Sequence, residues 1–294
     1  MMKSLPYLVN IPPFMFRGVD TDNFGFIEKL VFIIKGKIIS NIIIKTNGKI
    51  FCLLINFFYP KENSIYYENK KYKKKLSDSK IISFPNKRIL RIVNKPDIHL
   101  EKLLASYCLD NIEILNNDTV IDCGANVGEI KIALNFQGKF PKYIAFEPDG
   151  DTFECLKLNT NDEYTRLFKQ GLSDSQSLKQ FYLDNEGGNS SVIDFGSGIN
   201  TLVPCIDLDN LNIDYKVKLF KVEAEGYEPE VLLGSLKTLK YIEYISVDFG
   251  AERGISEENT IPEVNKILYK NNFELIKFSN YRQIGLYKQK EYNF

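Results

Sequence analysis

Val120-Ile-Asp-Cys-Gly-Ala-Asn-Val-Gly128, followed 25 positions after Asp122 by Glu147 in Ala145-Phe-Glu-Pro-Asp149, is the stretch that decides the fold. An apolar strand from Thr119 to Cys123 runs into a glycine-containing turn. An amphipathic helix follows, and a second apolar strand, Tyr143 to Phe146, ends on a carboxylate. In an open parallel sheet, nucleotide-like ligands sit in the crevice beyond the carboxyl ends of the strands. An acidic residue closing the second strand can accept both ribose hydroxyls there. The dehydrogenase fingerprint asks for glycine at its first, third and sixth positions; counted from Gly124, those are Gly124, Asn126 and Glu129. The fingerprint fails, and what remains is Asp122-x-Gly124-x-x-x-Gly128.

Working outward, strands and helices alternate from residue 119 to the end of the chain, which predicts a doubly wound α/β sheet. Strands are expected at 119–123, 143–147, about 165–172, 217–223 and 242–248, with helices at 97–110, 229–239 and 260–271. An insertion carries extended segments Lys179–Leu183 and Thr201–Ile206 around the loop 185–191. The segments 273–278 and 283–288, joined by Ser279-Asn-Tyr-Arg282, read as an antiparallel closing pair. Residues 1–96 read differently. Ile38 to Thr46, then Asn47-Gly48, then Lys49 to Phe58 gives β-branched and aromatic flanks around a type I′ turn signal, so a hairpin and a small β-rich N-terminal extension of unknown role are expected.

Composition narrows the function. With 38 basic and 38 acidic side chains the net charge is zero, which offers no general electrostatic reason to bind nucleic acid. The Lys-rich run 69–75 reads as a solvated loop, with contact to an anionic glycan or lipid as the minor reading. The five cysteines lack any C-x-x-C spacing, as expected of reduced thiols in a cytoplasmic protein, and Cys123 reads as a small core residue. The single histidine, His99, lies off the apolar stripe of its helix, which argues against a histidine zinc site or a Ser-His-Asp triad. Lysines 35, 37, 45 and 49 interrupt the apolar region 30–59, so no transmembrane segment is expected, and prolines near the start break a signal-peptide core.

Two clusters carry chemistry. In the first, Gly124 and Gly128 allow a tight turn and a close approach to a ligand. Amides around Ala125 and Asn126 can hold a carboxylate, Asp122 can bind an amino group or order the loop, and Glu147 can clamp ribose hydroxyls. Asp174, after the third strand, can reach an adenine amino group or serve as a turn aspartate. In the second, Lys221-Val-Glu-Ala-Glu225, strand alternation puts Lys221, Glu223 and Glu225 on one side of the same crevice. Two carboxylates and an ammonium there suit binding of a substrate hydroxyl, removal of its proton, or a divalent cation, which stays possible without a defined metal site. Glu228 and Glu230 flank Pro229 at a helix start and are expected to serve the helix.

The glycine turn has the arrangement associated with S-adenosylmethionine. Taken with Ala-Phe-Glu-Pro-Asp, Val203-Pro-Cys-Ile-Asp-Leu-Asp-Asn-Leu211 and Lys221-Val-Glu-Ala-Glu-Gly-Tyr-Glu-Pro-Glu-Val-Leu-Leu-Gly234, the chain resembles FkbM-type methyltransferases over residues 97–294. The resemblance implies a seven-stranded Rossmann-like sheet with one antiparallel strand and O-methylation of a saccharide, glycan or natural-product hydroxyl. It also implies a site-shaping role for Asp207, whose structural alternative is a helix cap. The family usually has Lys-x-Asp-x-Glu-Gly, whereas Glu223 stands at the Asp position here. That departure motivates the alternative of a catalytically silent S-adenosylmethionine-binding module. A Rossmann-type oxidoreductase and a nucleic-acid methyltransferase are weaker rivals.

Overall fold

The computed structural model describes residues 11–60, 64–76, 80–183, 190–194, 196, 198–250 and 253–290. The chain divides into two units, Met1–His99 and Leu100–Phe294.

The first unit contains helices α1 (Phe26–Lys45) and α2 (Gly48–Phe58), then strands β1 (Ile65–Glu68), β2 (Lys71–Lys75) and β3 (Ile81–Phe84) in a three-stranded antiparallel sheet. The hairpin expected over 38–58 is therefore two helices. Its turn signal fails because Asn47 is extended at φ −140° and only Gly48 takes a positive φ, whereas a type I′ turn needs both. The β-branched flanks satisfy a helical period equally well: Ile39 and Ile42 are buried on α1, and Phe51, Cys52 and Ile55 on α2. Among the described residues β structure begins at Ile65, so the described part of the extension is not predominantly β. The Lys-rich run is not a loop either. It forms the central strand β2, with Tyr72 and Lys74 buried.

After α3 (Pro96–Ser106), the second unit builds a seven-stranded sheet from β4 (Thr119–Cys123), β5 (Lys142–Phe146), β6 (Thr165–Phe168), β10 (Val217–Val222), β11 (Ile242–Asp248), β12 (Phe273–Phe278) and β13 (Ile284–Gln289). The order is β12-β13-β11-β10-β4-β5-β6, and only β13 runs against its neighbours. This is the doubly wound sheet with one antiparallel strand expected from the sequence. The helices are α4 (Glu129–Phe136), α5 (Gly150–Thr160), α6 (Glu228–Leu233) and α7 (Ile261–Lys270). Strands β4, β5 and β10 are buried along almost their whole length, as strands covered on both faces must be. The chain steps from β4 through β5 to β6, then returns to place β10 on the other side of β4. The switch point therefore lies between β4 and β10, and ligands of such sheets gather outside it.

Two boundaries differ from expectation. The third strand stops at Phe168; Gly171–Leu172 forms β7 of a separate sheet with β8 (Ser177–Tyr182) and β9 (Asn200–Ile206). Helix α6 ends at Leu233 rather than near 239, and its C-cap, Gly234, passes the 173 backbone so closely that a Cβ would lie 1.9 Å from the Ser173 oxygen. Residues 184–189, most of the loop expected at 185–191, lie outside the described residues. No helix among the described residues is long and apolar enough to cross a membrane.

Candidate functional site

Parallel register sets Lys221 of β10 beside Asp122 of β4, and both side chains are buried. The Lys221 ammonium donates to the carbonyl oxygens of Cys123 (2.9 Å) and Gly124 (2.7 Å). It also lies 3.0 Å from Asp122 Oδ1 and 3.0 Å from Glu223 Oε2. The Tyr143 hydroxyl donates to Asp122 Oδ2. Asp122 is thus sealed beneath the turn against Lys221 and Tyr143, and the turn itself is tied by the Lys221 ammonium. Gly124, at φ +71°, crosses the end of β10 so closely that a Cβ would lie 2.1 Å from the Glu223 carbonyl oxygen. Its glycine is demanded by the neighbouring strand. Gly128, at φ +85°, is held to glycine by the Thr160 methyl of α5, 2.5 Å from a would-be Cβ.

The turn's amides are engaged within the protein. Gly124 and Ala125 both donate to the Phe146 carbonyl (3.1 and 3.0 Å), Asn126 to Glu147 Oε2 (2.9 Å), Val127 to Asn126 Oδ1 (2.9 Å), and Gly128 to the Ala125 carbonyl (2.8 Å). The expectation that the amides at Ala125 and Asn126 hold a carboxylate is not met by this geometry. Glu147 stands at the end of β5 next to this turn, buried, with Oε1 accepting from the Asp149 amide at 2.9 Å. Each oxygen thus spends one acceptor site on a backbone amide and keeps another, the donor–acceptor pattern a vicinal diol requires. Burial pushes its pKa from 4.5 to about 7, against the pull of those two amides.

At the end of β10 the surroundings are ionic. The Tyr107 hydroxyl donates to Glu223 Oε2 at 2.5 Å and accepts from Arg282 Nη1 at 2.9 Å. Arg282 Nη2 donates to Glu223 Oε1 at 2.6 Å and to Asp248 Oδ2. The Tyr107 ring also faces both cations, with Lys221 at 5.4 Å and Arg282 at 5.2 Å. Burial opposes ionisation of Glu223, but Lys221, Arg282 and the Tyr107 hydroxyl outweigh it and hold the carboxyl well below its ordinary value. Burial likewise works against the Lys221 ammonium, and Asp122 and Glu223 more than offset it. Three carboxylates and two cations leave this cluster with one formal negative charge.

Strand alternation brings Lys221 and Glu223 together as expected, but β10 ends at Val222, so Glu225 belongs to a turn. Glu225 is half-buried with φ +50°, a left-handed conformation that a non-glycine residue adopts at some energetic cost. The turn is tied from three sides. Ser191 Oγ donates to the Glu225 carbonyl (2.8 Å); the Glu228 carboxylate accepts from the amides of Ala224 (2.9 Å) and Gly226 (3.0 Å) and from Thr260 Oγ1 (3.0 Å); and Arg253 donates to the Gly226 carbonyl (2.7 Å). Arg253 also grips both oxygens of Glu230, at 2.7 and 3.0 Å. Glu228 and Glu230 therefore secure the turn as well as opening α6.

The structure leaves other expected residues apart. Asp174 follows β7 rather than the third strand of the main sheet; it is exposed, accepts from Ser173 Oγ (2.8 Å) and pairs with Lys179 (3.5 Å). Asp207 caps the short helix Leu208–Leu211 through the Asn210 amide (3.0 Å). His99 belongs to the first unit, where its Nδ1 meets Arg17 Nη2 at 3.3 Å. Sequence reasoning missed Tyr107, Asp248 and Arg282. The rule that selected Glu147, an acid at the carboxyl end of a strand, also selects Asp248, whereas nothing local marks Arg282 in its hairpin loop. Among the described residues no group of three or more His, Cys, Asp or Glu side chains could hold a metal ion, so a divalent cation is not supported. A shallow cavity of about 180 Å³ lies at the opposite, amino ends of β4, β5 and β6, lined by Thr119, Lys142 and Arg166 among others.

The family described as "Methyltransferase FkbM domain" matches residues 122–275, just over half of the chain. Methyltransferase sdnD of Sordaria araneosa is 26% identical over 174 residues, which span 46% of this chain and 66% of that protein, just under two thirds of its length. Among solved structures, a SAM-dependent methyltransferase from Aquifex aeolicus is 15% identical with a TM-score of 0.40, covering 65% of this chain and 97% of that one. A putative RNA methyltransferase from Pyrococcus horikoshii is 11% identical with a TM-score of 0.36, covering 66% and 82%. Likenesses this loose carry no weight for function.

Proposed function

The chain belongs to the FkbM family of S-adenosylmethionine-dependent methyltransferases, and on that premise we propose that it O-methylates a hydroxyl of a saccharide, glycan or natural-product acceptor. The observation that carries the reading is the placement of Glu147, a carboxylate with free acceptor sites for a diol, at the carboxyl end of β5, with β4 alone between it and the Lys221–Glu223 cluster of β10 at the switch point. Glu147 would hold the ribose, with Gly124 to Gly128 forming the floor of the site. The residual negative charge of the cluster suits a cationic sulfonium. When bound, S-adenosylmethionine supplies an electrophilic methyl group.

The chain's own task is to hold an acceptor hydroxyl and remove its proton. Glu223 is poorly suited to the second part, because two cations and a tyrosine hydroxyl stabilise its ionised form and make it a weak base. We assign the proton transfer to Glu225, which the turn fixed by Ser191, Glu228 and Arg253 carries just beyond the cluster. Such help is worth roughly 10²- to 10⁴-fold in rate, with positioning supplying more. Lys221, Glu223, Tyr107 and Arg282 keep the strand ends in place. We assign the methyltransferase domain to residues 97–294, and five buried free cysteines support placing it in the cytoplasm.

Methyl transfer from labelled S-adenosylmethionine to a panel of sugars, glycans and polyhydroxylated metabolites tests this reading. Glu225→Gln should bind the cofactor and lose turnover; unchanged turnover would clear Glu225 of proton transfer. The engagement of Glu223 by Lys221 and Arg282 favours one second reading, a module that binds the cofactor without turnover. Cofactor binding with no transfer across the whole panel would establish it.

A further inference from the structure

The neutral total conceals a separation of charge. Residues 1–99 hold 18 lysines and arginines against 7 aspartates and glutamates, a net of +11; residues 100–294 hold 20 against 31, a net of −11. Asymmetry of this size between two parts of a chain signals an anionic partner for the basic part. The same part exposes apolar surface. On α1, Gly36, Ile39 and Ile42 are buried, while Val31, Ile34 and Ile38 form a second apolar stripe, at three- and four-residue spacing, that is exposed. Helix α2 repeats the arrangement. Phe51, Cys52 and Ile55 face inward, while Ile50, Leu53 and Phe57 face solvent, the last two 72% and 80% exposed.

A surface helix in water needs one apolar face, and these two helices carry a further one. The exposed stripes lie among exposed lysines 37, 45 and 49, and Glu28 is the only acidic residue in 26–58. Lysines bordering apolar side chains on an interfacial helix are the pattern that inserts shallowly between lipid headgroups. A second copy of the chain fits less well, because joining two such faces would bring two units of +11 together.

We propose that residues 26–58 form a peripheral membrane-binding surface, with the apolar stripes of α1 and α2 entering the interface of an anionic bilayer and the surrounding lysines holding its headgroups. The inference does not depend on the methyl-transfer reading. Flotation of the full chain with phosphatidylcholine vesicles, with and without about 30% phosphatidylglycerol, tests it at roughly 0.1 M and 1 M salt. The protein should float with the anionic vesicles at low salt and be released at high salt. Leu53→Glu with Phe57→Glu changes only exposed positions; it should leave the circular dichroism spectrum unaltered and lower vesicle recovery by about tenfold or more. Lys45→Glu with Lys49→Glu should weaken binding by at least about fivefold for each lysine removed. A wild-type chain that stays unbound, or that binds neutral and anionic vesicles alike, would overturn the proposal. So would a stable dimer that the Leu53 and Phe57 substitutions dissolve and that does not bind vesicles.

Discussion

The ends of β5 and β10 each present a carboxylate, buried at Glu147 and half-buried at Glu223, and their surroundings drive the two in opposite directions. Glu147 is held by two backbone amides, and burial raises its pKa to about 7. Glu223 is gripped by Lys221 and Arg282, and stays ionised far below its usual range. Neutral hydrogen-bond donors do not offset the loss of hydration, whereas two nearby formal charges do. One carboxylate therefore titrates where a ligand can influence it, and the other is a permanent member of an ionic framework. Pairs pushed apart in this way commonly divide the work of a site.

Four substitutions probe that contrast. Lys221→Met leaves the buried Asp122 without its cation and the half-buried Glu223 with Arg282 alone, and should destabilise the chain by about 3–5 kcal/mol in urea unfolding. A loss below about 1 kcal/mol would mean that the cluster is not an ionic framework. Glu228 provides a second carboxylate of the Glu147 type: burial raises its pKa to about 7, against amides that favour the anion. An acid with a raised folded-state pKa binds more protons folded than unfolded. Its contribution is therefore full below 4.5 and is lost as pH climbs through about 7, by up to about 3 kcal/mol. Glu228→Gln can keep the Ala224 and Gly226 bonds through its amide oxygen while turning its NH₂ toward Thr260. Thermal melts between pH 5 and 7.5 should show a shallower decline in this variant, and an unchanged slope would contradict the assignment.

Arg282→Gln removes the exposed half of the framework. Its guanidinium is about a third exposed, so water replaces part of what is lost, and about 1–2 kcal/mol should disappear. Glu223 should then titrate at higher pH in NMR of the carboxyl carbon; an unmoved titration would place the stabilising charge on Lys221 alone. The smallest effect belongs to Glu147→Ala, which should unfold near wild type while binding S-adenosylmethionine about tenfold more weakly, a loss of about 1.4 kcal/mol.

The sheet was legible in the sequence because its signals are local: two apolar strands, a glycine turn between them, and an acid at a strand end. Lys221 and Glu223 were legible as a pair for the same reason, since alternation alone puts them on one side. Arg282 and Tyr107 were not, because each reaches Glu223 across more than a hundred residues or through a hairpin whose loop has no marked composition. The Ile38–Phe58 stretch misled, since runs of isoleucine and phenylalanine meet the helical and the strand period equally. Asp174 was misplaced because the third strand breaks at Phe168 and the chain passes to another sheet.

The central claim is that Glu147 binds the cofactor as a carboxylate that titrates near neutrality. Calorimetric titration of S-adenosylmethionine at pH 6 and pH 8 tests it most directly. The wild-type chain should bind about tenfold more tightly at pH 8 than at pH 6, and Glu147→Ala should bind weakly and equally at both. Wild-type binding that is absent, or affinities that Glu147→Ala leaves unchanged at both pH values, would contradict it.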